Sequence, residues 1–114
     1  MCKQTQLNEI TSQITHSAKE VLGDKLHAVI LYGSYARGDF NDDSDVDIMV
    51  LADINDEDAL QISKPIMSVA SDIGLENDVI ISVFLKNKKL FEERSAFLPF
   101  YQNVIKDGVK LYGE

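Results

Sequence analysis

Two seven-residue apolar runs constrain the fold of this chain more than any other feature: residues 26–32, LHAVILY, and residues 46–52, VDIMVLA. Gly33 ends the first, and the polar stretch from Gly38 to Ser44 precedes the second. Apolar runs of this length between turn residues read as buried strands. Buried strands need apolar layers over them, and the flanking sequence supplies these. Leu7, Ile10, Ile14, Ala18, Val21 and Leu22 recur at three- and four-residue spacing. That pattern predicts an amphipathic helix over 7–22, stopped by Gly23.

The rest of the chain continues the alternation. Asp56-Glu57-Asp58 puts negative charge where a helix N-terminus favours it, and Leu60, Ile62, Ile66, Met67, Val69, Ala70 and Ile73 carry that helix to Gly74. Pro65 is a predicted kink point within it. Residues 78–85, DVIISVFL, predict a third strand opened by Asp78. Leu90 and Phe91 mark a short helix. Pro99 starts a helix over 100–106, ended by Asp107-Gly108, and residues 109–112 form a small last strand. Between the first two strands, Ser34 is placed to cap a helical segment over Tyr35-Ala36-Arg37. The fold class is therefore α/β, or α+β, with a small mixed sheet flanked by helices. With 114 residues and no repeat, low-complexity tract or linker, residues 1–114 are expected to form one domain.

Charge narrows the partners. The formal net charge is −8, and nine acidic residues fall between Asp39 and Asp58 with no Lys or Arg among them. Such a surface repels bare DNA or RNA. It attracts cations or a basic partner, although part of the block is a solvated loop and a helix start. No apolar run approaches the roughly 20 residues that span a bilayer, and the stretch Met1 to Gln6 lacks the apolar core of a signal peptide. The single cysteine, Cys2, excludes an internal disulfide. The expected location is the cytoplasm, without membrane contact.

Residues two apart in a strand share a face, so Asp45 and Asp47 project together while Val46 and Ile48 turn to the core. Two partly shielded carboxylates about 5–7 Å apart repel by roughly 2–3 kcal/mol at an effective dielectric of 20. A divalent cation, Mg²⁺ or Mn²⁺, offsets that directly. A strand end in open solvent avoids it, and the pair alone does not choose between these. The Gly33-Ser34 turn shifts the balance. Glycine admits a phosphate close to the backbone, and the following helix start offers N–H groups. Asp78 joins the pair at one sheet edge if the third strand neighbours the second; otherwise it is a turn aspartate. Arg37 lies near the phosphates, or else pairs with the acidic loop. Three carboxylates could hold two metal ions that position a nucleoside triphosphate and activate an attacking hydroxyl for in-line displacement at the α-phosphorus, with Asp78 as general base.

The stretch GSYARGDFNDDSDVDIMV, with Asp78 downstream, resembles the DNA-polymerase-β-like nucleotidyltransferase superfamily, and more narrowly its minimal prokaryotic members. Gly33 and Ser34 match the family turn, Ala36-Arg37-Gly38 its extension, and Ser44-Asp45-Val46-Asp47 the acidic motif. Asp78 stands where a third acid is expected. The resemblance is dense from Ala28 to Val50, and the order of elements extends it from Leu7 to Tyr112. It implies the nucleotidyltransferase fold and a transferase using ATP or another triphosphate. Asp45, Asp47 and Asp78 would serve as metal and catalytic residues, and Gly33, Ser34, Arg37 and Ser44 would bind the nucleotide. It further implies a small helical HEPN-type toxin as partner, with this chain as antitoxin placing AMP on it. Two rival readings are a module that silences its partner by masking alone and a transferase acting on a small molecule. The chain lacks the Arg-x₄₋₆-His signature of HEPN ribonucleases, so it would be the transferase half of such a pair.

Other signals carry less. The loop from Asp39 to Val50 is not an EF-hand, since Ser44 and Val50 occupy its glycine and glutamate positions. No P-loop motif is present. His16 and His27 read as surface or packing residues rather than zinc ligands. Phe84, Phe91, Phe97 and Phe100 read as core, Lys86 to Lys89 as a solvated turn, and Tyr101 and Tyr112 as weak candidates for self-modification.

Overall fold

The computed structural model describes residues 4–41 and 43–113, so Cys2 and Asp42 lie outside the described residues. Four strands, β1 (Leu26–Tyr32), β2 (Val46–Ala52), β3 (Ile81–Asn87) and β4 (Val109–Tyr112), form one sheet in the order β3-β2-β1-β4. The β1 strand runs antiparallel to both β2 and β4, while β2 and β3 are parallel. A parallel neighbour requires a long crossover, and the helix between β2 and β3 provides it. Both predicted apolar runs are the two central strands. Every β2 residue except Asp47 is buried, as is every β1 residue except His27.

The helices cover the sheet on both sides. Helix α1 (Gln4–Leu22) and helix α3 (Asp56–Asn77) pack on the face that carries Val29, Leu31, Val46, Ile48 and Val50. Helix α4 (Lys88–Arg94) and helix α5 (Pro99–Asp107) lay Phe91, Tyr101 and Val104 over Ile30, Tyr32, Met49 and Leu51 on the other. A one-turn helix, α2 (Ser34–Arg37), lies between β1 and β2. Ile10, Ile14, Ile48 and Ile66 are fully buried, each contributing about 1.5–3 kcal/mol of transfer free energy. Asn87 ties three elements together: its amide donates to the Ile54 carbonyl, its side-chain oxygen caps α4 by accepting from the Leu90 N–H, and its own N–H reaches the Asp56 carboxylate.

Four expectations need correction. Helix α3 passes Gly74 and Pro65 and ends one turn later at Asn77. The bare α-carbon of Gly74 instead admits the returning chain, because a Cβ there would lie 2.5 Å from the Val79 carbonyl oxygen. The third strand starts at Ile81, not Asp78, because Asp78 is the left-handed cap of that helix (φ 54°, ψ 48°). Helix α2 begins at Ser34, and Gly33 is its N-cap with no side-chain cap bond. Of the four phenylalanines read as core, only Phe91 is buried; Phe84, Phe97 and Phe100 are exposed. Tyr101 is buried, and Tyr112 receives Lys19 over its ring at 4.6 Å. His27 is exposed, while His16, also exposed, pairs with Glu20 at 2.9 Å.

Candidate nucleotide and metal site

The topology brings three chain segments to one end of the sheet. Because β1 and β2 are antiparallel, the strand that ends at Tyr32 lies beside the one that begins at Val46, and Tyr32 pairs with Asp47. The Gly33 turn therefore stands next to the acid pair. Because β3 runs parallel to β2, it begins at the same end, with Val46 opposite Ile81 and Asp47 opposite Ser82. The Val46 N–H donates to the Ile80 carbonyl at 2.9 Å and holds that junction.

Gly33 is required there twice over. Its backbone (φ 77°, ψ −157°) lies in a region essentially closed to other residues. A Cβ would also stand 2.5 Å from Asp47 Oδ2, so the carboxylate rests against the bare α-carbon. The Gly33 carbonyl accepts from the Ala36 and Arg37 N–H groups, each at 3.1 Å, which turns the chain into α2. The Ser34 N–H, at the start of that turn, has no partner within the helix. Tyr35 is buried and stacks on Phe40 with ring centroids 4.4 Å apart, fastening α2 to the loop that follows.

Val46 and Ile48 are fully buried, and Asp45 and Asp47 are half-buried, as the two-residue period requires. The Asp47 carboxyl is held above its usual range, first by burial and then by the neighbouring charge of Asp45, while Arg37 pulls it back. Burial and Asp47 together push the Tyr32 hydroxyl above the usual phenol range, so it keeps its proton. Arg37 is exposed and its Nε donates to Asp39 at 3.1 Å; it pairs with the acidic loop and also acts on Asp47. Ser44 shapes the approach to Asp45, since its hydroxyl accepts from the Asn41 N–H at 2.9 Å.

Asp78 stands apart from the pair. Exposed, it shares with Asp43, Ser44 and Asp45 the lining of a groove of about 780 Å³ between α3 and β3, which Asp47 does not line. Among the described residues no three His, Cys, Asp or Glu side chains come close enough to hold one metal ion. The expected convergence of Asp45, Asp47 and Asp78 on a metal is therefore not formed, because the chain reaches β3 three residues late. Asp45 and Asp47 themselves fit a hard divalent cation such as Mg²⁺ or Mn²⁺. They offer carboxylate oxygens, and burial leaves the negative charge of Asp47 poorly compensated. Sequence reasoning missed Tyr32 and Ser82, the residues paired with Asp47 on either side. Their signal lies only in strand register.

Residues 12–114 match the family described as polymerase beta, nucleotidyltransferase. The chain belongs to that family. The nucleotidyltransferase is 34% identical over 95 residues to a Methanocaldococcus jannaschii protein named "Putative protein adenylyltransferase MJ0141", covering 83% of this chain and 91% of that protein. It shares its fold with a structure described as a "putative minimal nucleotidyltransferase", at TM-score 0.61 and 15% identity over 95% of each chain. A crystal structure of a toxin-antitoxin with AMP-PNP also shares the fold, at TM-score 0.57 and 21% identity over 91% of this chain and 73% of that one. The expected α/β nucleotidyltransferase fold and the resemblance to minimal nucleotidyltransferases are both borne out. Among the described residues no helix is long and apolar enough to cross a membrane.

Proposed function

We propose that this nucleotidyltransferase moves AMP from ATP onto a side-chain hydroxyl of a partner protein, a HEPN-type toxin, and so acts as its antitoxin in the cytoplasm. One observation carries the reading: Asp47 projects from β2 beside the Gly33 turn, its carboxylate on the bare α-carbon, with the charge of Asp45 next to it at the strand's entrance. The adenylyltransferase name of the archaeal relative and the toxin-antitoxin description of the structural neighbour support the choice of acceptor.

The residues divide the work as follows. The Gly33-Ser34 turn, with the Ser34 hydroxyl and N–H, binds phosphate oxygens. Arg37 leaves Asp39 and faces the departing phosphates, where a guanidinium steadies growing negative charge. Ser44 sets the loop from which Asp45 projects. Asp45 and Asp47 hold Mg²⁺ or Mn²⁺, which when bound neutralises charge on the triphosphate. The acceptor oxygen forms a bond to the α-phosphorus, the bond from that phosphorus to the bridging oxygen breaks, and pyrophosphate leaves with the electron pair. The acceptor proton leaves to water, because Asp78, the base expected from the sequence, stands apart from the acid pair.

The test is incubation with Mg²⁺, ATP labelled at its α-phosphate, and the candidate partner. Label is expected on the partner and none with the Asp45→Ala, Asp47→Ala double variant. Full neutralisation of the partner by that double variant would replace catalysis with masking. Label on a small molecule instead of the partner would also overturn the reading.

A further inference from the structure

We propose that Ser82, and not Asp78, is the third side chain at the acid pair, so that the centre retains one divalent cation per chain on Asp45 and Asp47. This inference rests on the functional reading above. In a parallel ladder, directly paired residues present their side chains to the same face of the sheet, about 4.8 Å apart. The register pairs Ile48 with Val83 and Asp47 with Ser82. Val83 is buried with Ile48 under α1 and α3, so Ser82 must share the opposite face with Asp47. Ser82 is half-buried at that position.

Asp78 precedes Ser82 by four residues and lies off the sheet. Its left-handed backbone closes α3, and its N–H donates to the Gly74 carbonyl. The next residue is fixed by the Val79 N–H, which donates to the same carbonyl at 3.0 Å. Bringing Asp78 to the pair would require undoing the helix cap. Ser82 needs no rearrangement, but a serine hydroxyl is neutral. It can bond to a water or to an acceptor oxygen and cannot balance a second cation. Two carboxylates match the charge of one divalent ion.

Equilibrium dialysis of the intact protein against Mn²⁺ with a non-hydrolysable ATP analogue tests this by counting ions and nucleotides retained per chain. The expected result is one of each. Asp78→Asn should keep that count, with Mn²⁺ affinity within about twofold. Asp45→Asn should weaken Mn²⁺ at least tenfold, and Ser82→Asp should raise the count to two. Two ions on the parent protein, or an ion lost with Asp78→Asn, would overturn the inference and leave the functional reading standing. Retention of neither Mn²⁺ nor analogue by the parent protein would overturn both. The first two measurements decide the matter even if Ser82→Asp fails to fold.

Discussion

Gly33→Ala is the sharpest probe of how the fold builds its site. Alanine must adopt φ 77° and ψ −157°, at a cost of about 1–3 kcal/mol. Its Cβ would also lie 2.5 Å from Asp47 Oδ2, where ordinary contact begins near 3.4 Å. The carboxylate must withdraw by about 1 Å, and driving a side chain off its rotamer costs about 0.5–1.5 kcal/mol. Together these predict a loss of about 1.5–4.5 kcal/mol, or roughly 6–18 °C at about 4 °C per kcal/mol for a domain of this size. Gly38→Ala is the control, since Gly38 also has positive φ (83°) but nothing lies within 4 Å of its Cβ position. It should cost only the strain, about 1–2 kcal/mol, and leave Mn²⁺ affinity unchanged. In an Asp47→Ala background the clash disappears, so a double-mutant cycle should return a coupling of about 0.5–1.5 kcal/mol. Urea denaturation followed by circular dichroism, with Mn²⁺ binding alongside, measures all of this. A Gly33→Ala protein within 0.5 kcal/mol of its parent, or a cycle with no coupling, would refute the argument.

Two further predictions concern charge and capping. Asp47 takes its proton more readily in the fold than in the unfolded chain, so its contribution to stability is complete below the unfolded value of about 3.9 and lost as pH rises through the raised folded value. Asp47→Asn should flatten that fall, raise the melting temperature of the metal-free protein at neutral pH, and abolish Mn²⁺ binding; melting curves from pH 4 to 8, with and without Mn²⁺, check the sign. Asn87→Ala removes the α4 cap and the bond to the Ile54 carbonyl, and should cost about 1–3 kcal/mol in a urea titration.

Much of this fold is legible because its strands declare themselves locally. Strands β1, β2 and β4 run over the residues expected of them; for β1 and β2 the apolar runs between turn residues leave little choice, and for β4 the Asp107-Gly108 turn sets its start. The α1 stripe is equally clear, since every fourth or third residue is buried against the sheet. The end of α3 is not legible. Gly74 looks like a stop signal, but its missing side chain serves a carbonyl contact made five residues later. Nothing in Leu75-Glu76-Asn77 announces another turn, and Leu75 is exposed despite being apolar. The exposed phenylalanines fail for a related reason. Phe84 lies on an edge strand with no neighbour on its outer side, and residue type alone does not distinguish edge from centre.

The candidate site divides along the same line between local and distant information. Asp45 puts its charge beside Asp47 because it stands at the entrance of the same strand, and Gly33 stands beside Asp47 because an antiparallel partner returns through that turn. Both relations follow from residues close together in the chain. Arg37 shows how two readings can hold at once: it pairs with Asp39 on the surface while its charge still favours ionised Asp47. The neighbour of Asp47 on β3 is a different matter. A 22-residue helix separates those strands, and a slip of one residue would turn every β3 side chain to the opposite face. Buried Val83 and Leu85 set the face, which already puts Ser82 and Phe84 on the side of the acid pair. Which of those two stands opposite Asp47 is decided by the Val46–Ile80 hydrogen bond at the sheet end. That bond exists only because the αL cap at Asp78 delays the strand. The same backbone conformation that removes a carboxylate from the pair therefore brings a hydroxyl to it.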